Sequence, residues 1–354
     1  MLVTPPGFDM ARVRGMIVAG EAPPVAWRPF IIDLNLFGDD EMPVSVPDPG
    51  VLRGLTSLRS FDCWGTDLAD LSALSGLVSL ERLMCGESGV TDLGPLAGLV
   101  SLRELDCSYS GVSDLGPLAG LSGLRSLRCS DTAVADLGPL AGMRALETLH
   151  CGYSFVSDLG PLSGAVALRT LDCAATPVRD LAPLAGLAGL ENLGCRETEI
   201  VSLSALAGVV GLRELRCSGT SVSDLGVLTG LSGLRVLDCG GTLVEVLPGL
   251  AGLETLLCGR SLVADLGPVA GMAGLAVLDC DGTRVRDLSP LFGLKALRAL
   301  DCSFLALNAG SVGIVGIESL RELLMFETSG LGILSMDRNE NCLARLRGFL
   351  DTGR

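Results

Sequence analysis

Aromatic and charged residues are scarce in this 354-residue chain. Aromatics make up only 4% and charged residues 19%, although 48% of the residues are hydrophobic. The composition is too apolar for a disordered chain, yet it supplies few of the large rings that line most enzyme pockets. The mean hydropathy is +0.51, but no run approaches the 18 consecutive apolar residues of a membrane-spanning helix. The sequence therefore predicts a globular protein with a large aliphatic core.

Basic residues are also in short supply. Lysine and arginine total 26 against 41 aspartates and glutamates, which gives a formal charge of −15. A field of that sign repels phosphate groups and disfavours general binding to nucleic acid or anionic membranes. The first 20 residues lack the basic start and long apolar run of a secretory signal. We therefore expect a cytoplasmic protein in a reducing compartment, with no nucleic-acid partner and no membrane span.

Cysteine, by contrast, recurs with a fixed period. Nine cysteines follow one another at intervals of 22 residues, at positions 63, 85, 107, 129, 151, 173, 195, 217 and 239. Cys258 comes after only 19 residues, and Cys280 and Cys302 then resume the 22-residue step. A period of this length is the signature of a solenoid, in which each repeat buries its apolar face against its neighbours.

The residues around each cysteine suggest what one repeat looks like. Residues 102–121 show the pattern L-x-x-L-x-C-x-x-[T/S]-x-V-x-D-L-x-P-L-x-G-L. Leu105 and Cys107 alternate with period 2, which predicts a short strand with both side chains facing inward. The Ser or Thr after the cysteine can bond backbone groups as the chain leaves the strand. Asp114 is placed to cap a helical turn, and Pro117 and Gly120 favour an irregular, tightly bent return.

This pattern resembles that of leucine-rich repeat proteins, in the short 22-residue class of internalins and a phosphatase regulatory subunit. The resemblance covers residues 51–330, with cysteine at the third leucine position and Ser or Thr in place of the usual asparagine. It implies an α/β solenoid of about 12 repeats, curved into a right-handed superhelix. A parallel β-sheet would line its concave side, and short 3₁₀ or irregular turns its convex side.

The two ends of the chain depart from the repeat, as the caps of a solenoid must. We predict three parts: an N-terminal cap over 1–50, a solenoid over 51–330 and a helical C-terminal cap over 331–354. Within the first part we expect a short helix over 8–19 and a strand over 30–37, separated by a Pro-rich stretch. Near the other end, Met325 takes the cysteine place of a last repeat, and residues 341–350 predict an amphipathic helix.

The cysteine row could in principle form disulfides or a thiolate metal site. Side chains on parallel strands in register lie side by side, which does not suit the disulfide torsion of about 90°. One thiol per 22 residues also lacks the close cysteine pairs of zinc sites. We therefore interpret the cysteines as buried free thiols that serve as small core residues, and we expect no metal and no cofactor.

The residues that flank each inward cysteine form the one systematically variable face of the repeat. We predict that a protein partner binds this concave face, although a solvated surface that happens to carry a few rings is the alternative. Tyr, Trp and Arg are typical anchors of protein interfaces, and the patch is centred on Arg128, His150 and Tyr153. The full set of predicted contacts is Trp64, Asp106, Tyr109, Arg128, His150, Tyr153, Asp172, Arg196 and Arg216.

Two kinds of chemistry are considered and disfavoured. Asp172, His150 and Ser130 could form an acid–base–nucleophile line, but a concave sheet excludes little water and offers no oxyanion hole. Calcium needs six to eight converging oxygens, whereas the aspartates of this face occur one per repeat. These aspartates are expected to attract a partner with a basic surface. The Ser/Thr row is expected to turn inward, which argues against an ice-binding array.

The sequence thus predicts a non-catalytic recognition module: a scaffold, adaptor or regulatory subunit that grips another protein. The alternative within binding is the ligand-sensing subunit of a signalling or immune-type assembly. The alternative from another class is an enzyme that uses His150.

Overall fold

The computed structural model describes residues 3–37, 44–306 and 322–324. The chain divides into two compact units, Met1–Gly194 (unit 1) and Cys195–Arg354 (unit 2). The sequence predicted boundaries after residues 50 and 330, and neither coincides with the boundary after Gly194. The predicted division into two caps and a solenoid therefore stays a prediction. Met325 and residues 341–350, to which the sequence assigned a repeat position and a helix, lie outside the described residues.

Unit 1 begins with one α-helix and continues with short parallel strands. Helix α1 (Met10–Val18) lies within the predicted span 8–19; Asp9 caps it by accepting a hydrogen bond from the Ala11 N–H at 3.2 Å. Val13 and Ile17 share one face of the helix and are fully buried. The strands are β1 (Asp33–Asn35), β2 (Ser60–Asp62), β3 (Arg82–Met84), β4 (Glu104–Asp106), β5 (Ser126–Arg128), β6 (Thr148–His150), β7 (Thr170–Asp172) and β8 (Asn192–Gly194).

The strands of unit 1 pair in chain order, each parallel to the next. The register aligns equivalent repeat positions, so that Leu105 pairs with Leu127 and Arg128 pairs with His150. The cysteine that follows each strand extends the ladder: the Cys107 N–H donates to the Arg128 carbonyl at 2.9 Å. A constant period along the chain therefore places every repeat position in a straight row across the strands.

Unit 2 repeats this arrangement. Its strands are β9 (Glu214–Arg216), β10 (Val236–Asp238), β11 (Thr255–Leu257), β12 (Val277–Asp279), β13 (Ala299–Asp301) and β14 (Glu322–Leu324). They too are parallel and in register, in chain order.

Short 3₁₀ helices form the return of most repeats. In unit 1 they span Arg28–Phe30, Pro49–Leu52, Ser72–Leu74, Gly94–Leu96, Gly116–Leu118, Gly138–Leu140, Gly160–Gly164 and Ala182–Leu184; in unit 2 they span Ser204–Gly208, Gly226–Gly230, Gly267–Gly271 and Ser289–Leu291. The repeat between Cys239 and Cys258 has no 3₁₀ helix among its described residues. The missing three residues therefore come from the return and leave the strand intact.

The aspartate row before these helices has the capping role expected for it. The Asp114 Oδ1 accepts the N–H of Gly116 at 2.7 Å at the start of the 3₁₀ helix. The same bond recurs at Asp92, Asp136, Asp158, Asp180, Asp224, Asp265 and Asp287. These carboxylates thus stabilise turns on the side away from the strands.

The core is a stack of aliphatic side chains and thiols. From β3 to β13 the leucine at the strand centre and the cysteine after the strand are buried, as Leu149 and Cys151 show with no exposed surface, and buried Phe61 takes the leucine place in β2. The fold is the predicted solenoid of parallel strands and 3₁₀ returns. None of the described helices has the length and apolar character needed to cross a bilayer.

Candidate functional site

Each strand presents two outward positions on either side of its buried centre. In β6, Leu149 is buried while Thr148 and His150 are partly exposed. The residue before the cysteine thus faces outward, as predicted. The other outward row, three residues before the cysteine, is absent from the predicted contacts, although the same period-2 alternation predicts it. In unit 1 that row comprises Ser60, Arg82, Glu104, Ser126, Thr148, Thr170 and Asn192.

We define the strand face of unit 1 as these two outward rows together with the two residues after each cysteine. Four of the predicted contacts lie next to one another on it, in consecutive strands. Asp106 pairs with Arg128, Arg128 with His150, and His150 with Asp172. Arg128 is exposed and its neighbours His150 and Asp172 are half-buried. The structure therefore brings a guanidinium, an imidazole and two carboxylates into one row across the strands.

The aspartates in this row also have a local structural role. The Asp106 Oδ1 accepts the Ser108 N–H at 3.0 Å, and the Asp172 Oδ1 accepts the Ala174 N–H at 3.1 Å. Asp106 is only 7% exposed. One oxygen of each carboxylate is thus engaged in ending the strand, which limits how much of Asp106 a partner can reach.

His150 is held in its neutral form by its surroundings. Burial is the main cause of the lowered pKa of this imidazole, and the Arg128 guanidinium lowers it further. The carboxylates of Asp172 and Asp106 act in the opposite direction but do not outweigh these effects. The outcome is an uncharged ring that can donate one hydrogen bond and accept another.

The aromatic side chains cluster at the edge where the strands end. The Trp64 and Tyr109 rings are edge to face, with centroids 6.2 Å apart and planes at 73°. The Trp64 Nε1–H donates to the Glu87 Oε2 at 3.0 Å. The six-membered ring of the indole lies on Gly86, where a Cβ would be only 2.2 Å from Cζ3. Two of the predicted contacts thus touch each other, and the glycine makes room for one of them.

The second residue after each cysteine has a left-handed backbone. In unit 1 the non-glycine residues at this position are Glu87, Tyr109, Asp131, Tyr153 and Ala175, with φ between 47° and 56°. Both tyrosines are well exposed, at 59% and 57%. Nothing in the sequence of one repeat signals this conformation for a tyrosine, since glycine and asparagine are the usual residues there.

The remaining predicted contacts, Arg196 and Arg216, belong to unit 2. Arg196 is half-buried, and the Arg216 guanidinium forms an ion pair with Glu214 on the same strand. They lie at the corresponding positions of unit 2, Arg196 directly after its cysteine and Arg216 directly before the next one, and we call this surface the strand face of unit 2.

Unit 2 also carries a group of carboxylates that the sequence analysis did not single out. Asp279 and Asp301 pair across neighbouring strands, and Asp281 follows closely. Burial, followed by the charges of Asp281 and Asp301, raises the pKa of Asp279 to about 7 despite a hydrogen bond from the Asp281 N–H. Arg260 forms an ion pair with Asp281 at 3.4 Å. The group thus combines three carboxylates with one guanidinium, that of Arg260.

The twelve cysteines at the repeat position are free and buried. Burial is the largest cause of the raised pKa of Cys129, Cys173 and Cys217, which is about 12 for each of them. The adjacent Ser/Thr row turns inward, so that the Thr132 hydroxyl donates to the Cys129 carbonyl at 2.7 Å. The interpretation of the cysteines as core residues fits this geometry. Among the described residues no group of histidine, cysteine and carboxylate side chains is arranged to hold a metal ion.

Comparison with known proteins gives similarity in fold. No protein-family model matches the chain, and no curated protein matches its sequence. A leucine-rich repeat protein of Leptospira interrogans has a TM-score of 0.79 and 15% identity over 99% of this chain and 98% of its own. An internalin of Listeria monocytogenes has a TM-score of 0.67 and 21% identity, covering 89% of this chain and 92% of its own.

A third similar structure contains a ligand. It is the plant peptide hormone receptor RGFR1 in complex with RGF2, with a TM-score of 0.69 and 15% identity. The match covers 86% of this chain and 53% of the receptor chain. The similarity to the leucine-rich repeat protein and to the internalin confirms the resemblance inferred from the sequence. The chain is thus a protein of the leucine-rich repeat fold.

Proposed function

We propose that this protein is a non-catalytic recognition module, acting as a scaffold, adaptor or regulatory subunit, whose strand face in unit 1 binds another protein. The observation that carries the proposal is the row Asp106, Arg128, His150 and Asp172, bordered by the exposed rings of Tyr109 and Tyr153. The solenoid needs leucine and cysteine inside, and the two aspartates help to end their strands, but the fold makes no such demand for Arg128, His150 or the two tyrosines. Charged and aromatic side chains that the fold does not require are typical of binding surfaces.

Arg128, His150 and Tyr153 are the centre of the proposed surface. Arg128 offers five donors in a planar fork, and the neutral His150 adds one donor and one acceptor. Tyr153 adds apolar area with a polar tip, which suits an interface that is partly desolvated. Trp64, Tyr109, Asp106 and Asp172 extend the surface within unit 1, while Arg196 and Arg216 are proposed contacts on the strand face of unit 2.

The similar receptor structure supports a role in binding. RGFR1 was solved with RGF2 bound, so a solenoid of this kind can hold a peptide. The one helix of unit 1, the buried free thiols and the charged row on the strand face do not themselves point to a reaction.

A catalytic role is not part of the proposal. His150 and Asp172 are neighbours, but Asp172 spends one oxygen on the Ala174 N–H. The neutral state of His150 would suit a general base, yet this open strand face offers no oxyanion hole beside Ser130. We also propose a reducing, cytoplasmic location, because twelve free thiols are in keeping with such a compartment.

The test is affinity capture from the native cell with wild type and a triple variant, Arg128→Glu, His150→Ala and Tyr153→Ala. A matched triple variant, Arg144→Glu, Phe155→Ala and Val166→Ala, changes exposed residues of the same unit that lie away from the strand face. We expect a protein that wild type and the matched variant retain and the first variant loses, with at least tenfold weaker binding when the purified partner is titrated. Equal capture by all three folded proteins would overturn the proposal, as would a turnover that His150→Ala abolishes while binding persists.

A further inference from the structure

Five side chains at the end of β2–β6 alternate between aromatic rings and carboxylates. We call Trp64, Glu87, Tyr109, Asp131 and Tyr153 the acidic–aromatic row. The last four leave left-handed backbones, and each of their N–H groups donates to a carbonyl of the next repeat at 2.8–3.0 Å. Because backbone conformation and hydrogen bonding are the same at each position, these four side chains start from equivalent points along a regular row.

The fold does not require large side chains at these points. Gly65, Gly219, Gly241 and Gly282 occupy the same repeat position with φ between 56° and 69°. Glycine is favoured in this conformation, because other residues crowd the following carbonyl oxygen. Tyr109 and Tyr153 are therefore placed against the backbone preference, on a surface where both rings remain exposed.

The spacing of the two tyrosines suits a flat cation. Neighbouring parallel strands are about 4.8 Å apart, so Tyr109 and Tyr153, two repeats apart, are separated by roughly 10 Å at the backbone. A group midway between them is roughly 5 Å from either backbone along the row, and a cation is attracted to an aromatic face within about 6 Å, so one cation can reach both rings. Asp131 occupies the same position of the repeat between them, so its acidic side chain starts near that midpoint.

The other end of the row is already ordered. Trp64 is fixed by its contact with Tyr109 and by its hydrogen bond to Glu87. The stretch from strand end to left-handed residue in these repeats carries four carboxylates (Asp62, Glu87, Asp106 and Asp131) and one guanidinium, Arg128. The excess of acid favours a cation over a neutral sugar, which aromatic rings alone would also accommodate.

We propose that the acidic–aromatic row binds an arginine-bearing segment of the protein partner, with one guanidinium seated between Tyr109 and Tyr153 against Asp131. This inference rests on the proposed function and names the chemistry of the partner. A guanidinium is planar, stacks on aromatic faces and binds a carboxylate through two hydrogen bonds. The ammonium of lysine offers the charge without the flat face.

The chain contains only two tyrosines and two tryptophans, which makes the row directly observable. Fluorine NMR of the full chain labelled with 3-fluorotyrosine gives one signal each for Tyr109 and Tyr153. The probe is the peptide acetyl-Gly-Arg-Gly-amide, and its control is the same peptide with citrulline, the neutral isostere of arginine. We expect both signals to shift saturably with the arginine peptide and to shift at least tenfold less readily with the citrulline peptide.

Variants show which residues hold the cation. Asp131→Asn keeps a side chain that tolerates the left-handed backbone, and Tyr153→Gly introduces the residue found at the equivalent positions. Each is expected to weaken peptide binding about tenfold. The matched controls Glu21→Gln and Phe155→Ala, both at exposed positions of unit 1, should leave binding unchanged. In a second sample labelled with 5-fluorotryptophan, buried Trp27 should not respond.

Several results would overturn the inference. These are equal response to the arginine and citrulline peptides, absence of saturation, unchanged binding in Asp131→Asn, or a response to maltotetraose in place of the arginine peptide. The proposed function and the arginine site can be tested apart from each other. A partner that is lost by the triple variant of Arg128, His150 and Tyr153 but retained by Asp131→Asn would support protein recognition and reject the arginine site. Binding of the arginine peptide without any captured protein would support the arginine site and count against protein recognition.

Discussion

The indole of Trp64 packs against Gly86, so that the backbone of one repeat forms the seat for an aromatic ring of the preceding one. The same position after the cysteine holds Ser108 and Ser130 in the next repeats, and the backbone there accepts a side chain. The ring is therefore the nearest obstacle to a side chain at position 86, and the Ser108 carbonyl oxygen is the second.

Gly86→Ala is expected to displace the ring and lower the free energy of unfolding by about 1–2 kcal/mol, the usual cost of overpacking. A Cβ at this point would be 2.2 Å from Trp64 Cζ3 and 2.7 Å from the Ser108 carbonyl oxygen. Chemical denaturation measures the change, and Gly120→Ala is the control because a Cβ there meets nothing within 4 Å. In a Trp64→Ala background the substitution should cost much less; equal costs in both backgrounds would contradict the seating of the ring.

The single histidine of the chain offers a second measurement. The proton NMR signal of His150 should titrate with a midpoint below the ordinary value of 6.5, because burial and Arg128 both oppose protonation. Arg128→Gln should raise this pKa, and Asp172→Asn should lower it. Since the pKa in the folded state is depressed, His150 stabilises the fold above pH 6.5, and that contribution is lost as the pH falls through the folded pKa. A midpoint at or above 6.5 in wild type would contradict the assignment.

The thiols of the twelve cysteines at the repeat position are expected to resist alkylation in the native protein. Burial raises the pKa of Cys129, Cys173 and Cys217 to about 12, so at pH 8 the thiolate fraction is roughly a thousandfold smaller than for a free cysteine. Treatment with iodoacetamide followed by peptide mass spectrometry should leave these positions unlabelled, whereas the protein in 6 M guanidinium chloride should be labelled at all of them. Rapid labelling of any of these thiols in the native state would show that it is accessible, and an unlabelled pair in denaturant would indicate a disulfide.

Much of this architecture is predictable because residues separated by a constant period in the sequence align in one row across neighbouring strands. The period of 22 assigns Cys107 and Cys129 to one row, and alternation assigns Leu105 and Leu127 to the core beside them; both placements are confirmed. The capping role of Asp114 also follows from its position before a proline-containing turn. These features depend only on local sequence and on repetition.

The details of the surface were harder to predict, because they depend on side-chain torsions and on neighbouring repeats. The left-handed backbone of Tyr153 has no signal within its own repeat, although the glycine at 219 gives one when the repeats are aligned. The burial of Asp106 results from its bond to the Ser108 N–H and from packing against adjacent strands. The contact of Trp64 with Tyr109 spans two repeats and depends on one rotamer.

The carboxylates of unit 2 should make stability depend on pH. The pKa of Asp279 is raised to about 7 by burial and by the charges of Asp281 and Asp301, with Arg260 paired to Asp281 nearby. The folded state therefore holds this proton more tightly than the unfolded chain, whose Asp pKa is about 3.9. Ionisation consequently costs stability as the pH rises from about 4 to 7, and above pH 7 the cost is complete.

Asp279→Asn removes this cost and keeps an oxygen that can accept the Asp281 N–H. We expect the variant to be more stable than wild type at pH 8, by on the order of 2 kcal/mol since the side chain is partly exposed, and equally stable at pH 4. Urea denaturation at the two pH values measures the difference. The control is Asp238→Asn, at the same repeat position but paired across the strands with Arg216 and Leu257, neither of which is an acid. A gain of the same size at pH 4 and pH 8 would mean that the introduced asparagine stabilises the protein by packing, and the ionisation cost would then be refuted.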